Sequence, residues 1–253
     1  MRTLHEPILD TIRHWRWFQY VPAQAHAWLA SRASVQTIAQ GTLLYSPGDP
    51  VKAIYGVIDG VFRIYSALPK GEDLTLEEVV AGGWFSHMIP DPRATQITHC
   101  VCQQDARVVV IPWSTVCEFG RRWPDFYRGC YEEFLLRAGV IIGRLELLSA
   151  HDLKVRLAVY LLRIAKLRGV RAPDGSIWLG SAANQSEVGA RVGGARQRVN
   201  YALKEWSREG WLTLGKDGIR LLDLQAIRAQ ATRTGFDVDA YLGGWHGGWQ
   251  GSS

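Results

Sequence analysis

Polar and apolar residues alternate between residues 41 and 112, where short runs rich in β-branched and aromatic side chains are separated by turn residues. Asp59-Gly60 and Gly82-Gly83 are two of these turn signals. Many short strands, spaced about ten residues apart, predict an antiparallel sandwich or barrel. The predicted strands are 42–45, 53–58, 61–65, 74–80 and 108–111.

Helical periodicity precedes and follows this β region. Residues 4–31 hold two short helical patterns that break near Pro22 and predict a lid of helices packed on the strands. From Pro124, a favourable first helical residue, apolar residues recur at threes and fours to residue 150, which predicts a helix of roughly 35 Å. A narrow apolar stripe is typical of helices that pair with each other, and a helix lying on its own β domain is the alternative. The stripe residues predicted to form a dimer interface are Phe134, Ala138, Ile141, Leu145 and Leu148.

Residues 151–231 begin with two more helical patterns. Asp152 is a suitable N-cap for a helix that runs to Arg168. Between residues 184 and 206, two short sets of apolar residues at helical spacing flank Gly193-Gly194. Because glycine adopts positive φ at little cost, this pair lets one helix end and a second leave at a steep angle. The pattern predicts a helix-turn-helix.

Two β-rich runs, 211–214 and 219–222, follow the second of these helices and are joined by a Gly-Lys-Asp-Gly turn. A hairpin at this place completes a winged helix. The second helix presents a polar stripe that could bond base edges in a major groove, and Lys216 of the hairpin would reach a phosphate. An amphipathic helix pair with a merely solvated charged face is the alternative. The stripe consists of Arg196, Gln197, Asn200, Tyr201 and Lys204.

Positive charge is concentrated in the same region. Residues 151–231 carry 14 Lys and Arg against 7 Asp and Glu, a net charge of +7, whereas residues 1–150 carry 14 against 15. A basic surplus confined to one region is the electrostatic footprint of a nucleic-acid-binding domain. The sequence has neither an apolar run of roughly eighteen residues nor a secretory signal pattern, so we expect a cytoplasmic protein without membrane contact.

Enzyme and metal chemistry find little support in the sequence. No phosphate-binding loop, nucleophile elbow or metalloprotease motif is present. The four cysteines lack zinc-binding spacing. Cys100 and Cys102 would share a face of one strand and could hold a soft metal, but reduced thiols in a core are the commoner arrangement, so no metal is predicted.

The order of β domain, long helix and winged helix resembles the Crp/Fnr family of bacterial transcription regulators, over about residues 35–231. The resemblance implies an α+β fold: an N-terminal double-stranded, jelly-roll-like β-roll, a long dimerisation helix and a C-terminal winged helix-turn-helix. It also implies a homodimer on a two-fold symmetric DNA operator, with RNA polymerase as a further candidate partner. The likeness rests on Pro47-Gly48-Asp49, Asp59-Gly60, Lys70-Gly71, Gly82-Gly83-Trp84-Phe85, Ile111, Pro124, Asp152, the LLRIA of 161–165, and 184–204, which is similar to TQE…GxSRETVxRxLK.

The family pattern also divides the chain into functional parts. The predicted parts are a sensor domain with its N-terminal helices at 1–123, the dimerisation helix at 124–150, the DNA-binding domain at 151–231 and a disordered glycine- and tryptophan-rich tail at 232–253.

Departures from the family concern the effector pocket. Members that bind cyclic AMP use a Gly-Glu, an Arg-Ser and, on the long helix, a Thr-Ser, where this chain has Ser86-His87, Gln96-Ile97 and Ile141-Ile142. A phosphodiester needs a cation, which Gln96 cannot supply and Arg93 could supply only if its loop shifted. We therefore predict no cofactor and no cyclic AMP response, with an unidentified apolar ligand as the alternative. The candidate pocket residues are His87, Arg93, Gln96, Ile141 and Ile142.

The leading interpretation is a homodimeric, sequence-specific DNA-binding transcription regulator. Arg196, which in the family forks onto a guanine, supports it. The alternative is a ligand-sensing or protein-interaction protein whose winged helix no longer reads DNA. Gly194 and Ala195 replace an apolar residue and a Ser N-cap, and Gln197 and Tyr201 replace the family's Glu and second Arg. The changes to Gln197 and Tyr201 also predict half-sites that differ from the family's TGTGA at the positions beside the guanine.

Overall fold

The chain forms two units, one up to residue 136 and one from residue 137. The computed structural model describes residues 6–68, 73–87, 91–180, 188–189, 191–215 and 218–243. Each unit has its own apolar core. No helix within the described ranges is long and apolar enough to cross a membrane.

The first unit is built on an antiparallel sheet, as the sequence predicts. Its described strands are β1 Ser34–Ile38, β2 Leu43–Tyr45, β3 Ala53–Ala67, β4 Asp73–Val79, β5 Trp84–Phe85 and β6 His99–Pro112. The two long strands β3 and β6 pair along most of their length, with β1 beside β6 and β4 beside β3. β2 adds to β6 and β5 adds to β3. The short strands β1 and β5 were not predicted, and β6 begins well before the predicted run.

The predicted turn at Asp59-Gly60 was wrong, because both residues lie inside the continuous strand β3. The pairing of β3 with β6 changes register on either side of Asp59, which is the mark of a bulge. Gly60 has a φ of +92°, and a Cβ there would lie 2.4 Å from Cβ of Ala106. Asp59 accepts hydrogen bonds from the backbone N–H and Nε of Arg107, at 2.8 and 2.6 Å. Both residues therefore serve the bulge rather than a turn.

The predicted helical lid is confirmed. Helices α1 Glu6–Arg13 and α2 Ala23–Ala30 flank a short 3-10 turn, and α3 Trp113–Arg122 follows the sheet. Trp17 from the turn packs edge-on against Trp84, with ring centroids 4.0 Å apart. These aromatic contacts join the lid and the sheet in one apolar cluster.

The long helix α4 spans Phe126–Ala150. It begins two residues after the predicted Pro124, which forms a turn whose carbonyl accepts from the N–H of Tyr127 at 2.9 Å. Phe126 and Cys130 are buried in the core of the first unit, and Leu147 is buried in that of the second. The helix thus packs on its own domains as well as carrying the exposed stripe.

The second unit adds α5 Leu153–Arg168, α6 Arg196–Arg208, α7 Leu224–Thr232 and α8 Val238–Gly243. Its antiparallel sheet has the order β7 Val170–Arg171, β8 Ile177–Trp178, β10 Gly218–Leu221, β9 Leu212–Gly215. Asp152 caps α5 as predicted, because its side chain accepts from the N–H groups of Lys154 and Val155. The predicted hairpin is β9 and β10, with Gly215 opposite Gly218. Lys216 lies outside the described residues.

The prediction of a disordered tail from residue 232 was wrong for residues 233–243, which we call the C-terminal strap. The strap includes α8, and Phe236, Val238, Tyr241 and Leu242 are buried in the core of the second unit. Four apolar side chains within seven residues bury enough surface to order a short segment. The glycine-rich remainder of the tail lies outside the described residues.

Candidate nucleic-acid interface

The turn between the two helices of the helix-turn-helix has the geometry of a glycine C-cap. The N–H of Val192 donates to the carbonyl of Val188 at 3.0 Å, which is an α-helical bond. Gly193 has a φ of +61°, and the N–H of Gly194 donates to the carbonyl of Gly189 at 3.0 Å. This bond across six residues, with a left-handed residue before its donor, is a Schellman motif. The first glycine alone supplies the positive φ.

Two glycines let the elements approach each other closely. A Cβ at Gly189 would lie 3.0 Å from the carbonyl oxygen of Gly194, so a larger residue would not fit without a shift. A Cβ at Gly194 would lie 2.4 Å from Cδ1 of Leu153. Leu153 of α5 therefore fills the space that the family's larger residue would need. Glycine at 194 is a requirement of this packing and does not disrupt the turn.

Helix α6 is anchored by one apolar face. Val199 and Leu203 are completely buried and share a core with Val188 and Val192. Trp206, also buried, stacks on Trp211 with ring centroids 5.6 Å apart. Ala195 makes no side-chain cap, but α6 still begins at the next residue, because its tertiary contacts outweigh the missing cap.

The polar stripe of α6 faces solvent at four of its five predicted positions. Arg196, Gln197, Tyr201 and Lys204 are exposed, with Tyr201 at 68%. Asn200 is half-buried, and its Oδ1 is enclosed without a hydrogen-bond partner among the described residues. It lies three residues before the buried Leu203, at the margin of the apolar face. The four exposed residues are the ones placed to meet a groove.

Arg198 is a further candidate for contact with DNA and was not predicted from the sequence. It lines a cleft of about 320 Å³ between α6 and the start of α5. Its position three residues before Tyr201, on the same side of a helix, was a usable signal. Lys154, in the same cleft, pairs with Glu205 at 2.7 Å and so ties α6 to α5. The cleft is lined by Asp152, Leu153, Lys154, Arg198, Tyr201, Ala202 and Arg233.

The candidate effector residues lie in both units. In the first, buried Gln96 donates from Nε2 to Oγ of Ser86 at 3.1 Å, and its backbone bonds the turn at Gly48 and Asp49. Ser86 has a φ of +129°, which among the described residues makes it the one residue other than glycine with positive φ. Ser86 stands where cyclic AMP-binding members of the family have glycine, and its backbone keeps a conformation that suits glycine. For a serine this conformation lowers the stability of the fold by roughly 1–3 kcal/mol.

Arg93 and His87 are the other candidate residues of the first unit. Arg93 has a side chain that is 91% exposed and approaches Asp91 at 3.5 Å. His87 packs edge-on against Trp113, with centroids 5.9 Å apart. In the second unit, Ile141 and Ile142 are 69% and 65% exposed. Among the described side chains, the one that bonds to Gln96 is the hydroxyl of Ser86, which carries no positive charge. It therefore does not replace the cation that the family's Arg supplies.

The interior of the β-roll is rich in aromatic side chains. Phe85 packs against Tyr55 and Phe62, with centroids 5.1 and 4.7 Å away. Cys100 and Cys102 are buried here, and burial raises the pKa of both thiols. Among the described residues, no three His, Cys, Asp or Glu side chains are grouped to hold a metal ion.

Both halves of this architecture match known domains. Residues 35–121 match the model of the cyclic nucleotide-binding domain, and residues 155–230 match that of the Crp-like helix-turn-helix domain. These ranges contain the β-roll and the interface just described. The strap lies beyond the second range.

Known proteins also match the chain over most of its length. The chain is 27% identical over 206 residues to the transcriptional regulator SdrP of Thermus thermophilus, covering 81% of this chain and 96% of that protein. It is 23% identical over 217 residues to a CRP-like cAMP-activated global transcriptional regulator of Mycobacterium tuberculosis, covering 85% and 95%. FixK2 from Bradyrhizobium japonicum has a similar fold, with a TM-score of 0.66 at 18% identity over 78% of this chain and 96% of that one.

Proposed function

Because the chain belongs to the Crp/Fnr family of transcriptional regulators, we propose that it acts as a homodimer whose two α6 helices bind a two-fold symmetric site on double-stranded DNA. The observation that carries this proposal is the geometry of α6. Its apolar face is locked into the core, while Arg196, Gln197, Tyr201 and Lys204 are exposed on the opposite face. The local net charge of +7 attracts the phosphate backbone.

The dimer proposal is supported by the exposed stripe of α4. Phe134, Ala138, Ile141, Leu145 and Leu148 recur at threes and fours, and the four large side chains among them are exposed in the single chain. Ala138 lies between them and is half-buried. A row of large apolar side chains left in water is costly, and pairing with the same row of a second chain removes that cost. A parallel pair would place the two winged helices on one side of the dimer, as a two-fold operator requires. RNA polymerase is a further candidate partner of a regulator bound in this way.

Binding to random-sequence DNA at low salt tests the DNA proposal. We expect measurable affinity in about 50 mM salt and a steep loss toward 200 mM, because phosphate contacts release counterions. Electrophoretic mobility shift with repeated selection would give both the affinity and the preferred site. A complete lack of binding at low salt would instead favour a ligand-sensing or protein-interaction role.

We also propose that the regulator does not respond to cyclic AMP. We expect calorimetric titration with cyclic AMP or cyclic GMP to give no binding at micromolar concentrations. The carboxylate, cation and hydroxyl pair that the family uses are replaced, and each loss removes roughly 1–3 kcal/mol of hydrogen bonding. Together these losses move a micromolar site beyond millimolar. A micromolar constant for either nucleotide would contradict this prediction, and retention of an apolar molecule by the purified protein would point to the alternative effector.

A further inference from the structure

A tight contact joins the C-terminal strap to α4. Tyr241 lies against Gly143 so closely that a Cβ there would be 2.7 Å from Cδ2 of the tyrosine ring. The ring is buried, and it also packs edge-on against Phe236, with centroids 5.4 Å apart. Because position 143 is a glycine, the tyrosine ring of the strap can pack directly on the backbone of the long helix.

A second set of contacts lies at the joint between α4 and α5. His151 hydrogen-bonds through Nδ1 to Oγ1 of Thr234 and packs edge-on against Phe236, with centroids 5.4 Å apart. Its Nε2 lies 3.2 Å from the carboxylate of Glu146 on α4. Arg233 forms an ion pair with Asp152, the N-cap of α5. The strap therefore holds the two residues at which the chain passes from one helix to the next.

The third set of contacts reaches α5 and the DNA-reading face. Nζ of Lys166, near the end of α5, donates to the carbonyl of Leu242, and burial lowers the pKa of this lysine. Arg233 lines the same cleft as Arg198 and Tyr201 of α6. The strap thus makes contacts before, at and after the joint, and one of its side chains lies beside the recognition helix.

The side of the joint that faces the helix-turn-helix is held by Arg156 of α5. Its Nη1 donates to the carbonyl of Leu148 and its Nη2 to that of Gly193, each at 3.3 Å. A bend at the joint would have to break these bonds or expose the buried side chains of the strap.

We propose that the C-terminal strap fixes the orientation of the winged helix on the second half of α4, so that this segment of the chain sets the DNA affinity. The inference rests on the proposed DNA-binding function. A dimer joined along α4 reaches two half-sites only if each recognition helix is held at the correct angle to α4. A loose joint lowers the fraction of molecules competent to bind both half-sites, and the apparent affinity falls with that fraction.

Two glycines of α4 provide a matched test. Both lie in the helix interior, so alanine at either place raises the helix propensity by a similar amount. A Cβ at Gly139 would meet no atom within 4 Å, whereas a Cβ at Gly143 would collide with Tyr241. Gly143→Ala therefore displaces the strap without altering its sequence, and Tyr241→Ala removes the same contact from the other side.

Hydrogen exchange and DNA binding report on the strap separately. In Gly143→Ala and Tyr241→Ala we expect amides at 149–156 to exchange about tenfold faster. Affinity for a selected two-fold site should fall about tenfold, while Gly139→Ala changes neither quantity. Unchanged exchange in both strap variants would overturn the proposal, and so would faster exchange with undiminished affinity. If the unaltered protein binds no DNA, the DNA-binding function fails, whereas the exchange measurement still decides whether the strap holds the joint.

Discussion

The double variant Ile141→Asp with Leu145→Asp is expected to be a monomer. Both side chains are exposed in the single chain, so aspartate at these places leaves the two cores intact. In a dimer paired along α4, the four introduced carboxylates would face one another across the interface, and burying such like charges costs several kcal/mol. Loss of the second half-site contact should then lower operator affinity by roughly 10²–10⁴-fold.

Sedimentation velocity with and without operator DNA measures both effects. The exchange Ile141→Leu with Leu145→Ile is the matched control, because it keeps the volume and apolar character of the stripe and should remain a dimer. Circular dichroism of both variants checks that α4 and the rest of the helices are retained. An unchanged dimer mass in the aspartate variant would place the interface on another surface.

Local rules were sufficient where one short segment fixes its own conformation. Asp152 as an N-cap, Gly193 as a helix C-cap and the glycine-flanked hairpin were all predicted from neighbouring residues, and the structure confirms each of them. In each case a backbone requirement selects one residue type, either a side-chain acceptor for free N–H groups or a residue without a Cβ.

Local rules failed where a distant partner decides. Asp-Gly at 59–60 suits a turn and a bulge equally well, and only the pairing with Arg107 and the approach of Ala106 select the bulge. Gly194 appeared to weaken the helix-turn-helix, because the side chain of Leu153 that occupies its space comes from another helix. The sequence contains these residues but not the distances between them.

The strap was missed for a related reason. Phe236, Val238, Tyr241 and Leu242 stand next to a glycine-rich stretch, so composition favoured disorder. Their burial depends on packing against Gly143, which is about a hundred residues earlier in the chain. The residues next to the strap in sequence do not reveal this contact. The role of the strap therefore had to come from the structure.

Arg196→Ala is expected to weaken operator binding by about 1–3 kcal/mol and to relax the preference for one guanine in each half-site. The guanidinium matches O6 and N7 of guanine, and the exposed position of Arg196 at the start of α6 leaves its fork available. Arg198→Ala is the matched control on the same helix. Because Arg198 lies in the cleft toward α5, we expect this variant to weaken all sequences alike and to lower the salt slope by about one.

The bases beside that guanine should distinguish this protein from the rest of its family. Gln197 offers both a donor and an acceptor, a match for N6 and N7 of adenine, and so no longer demands the cytosine that a glutamate would select. Tyr201 is 68% exposed and suits a thymine methyl group or a phosphate rather than a second guanine. Selection from random DNA should therefore give half-site centres about 34–36 Å apart, each with one guanine and with changes from TGTGA at the two neighbouring positions. If the selected sites keep TGTGA unaltered, Gln197 and Tyr201 do not read bases, and Arg196 acts within a contact pattern different from the one proposed.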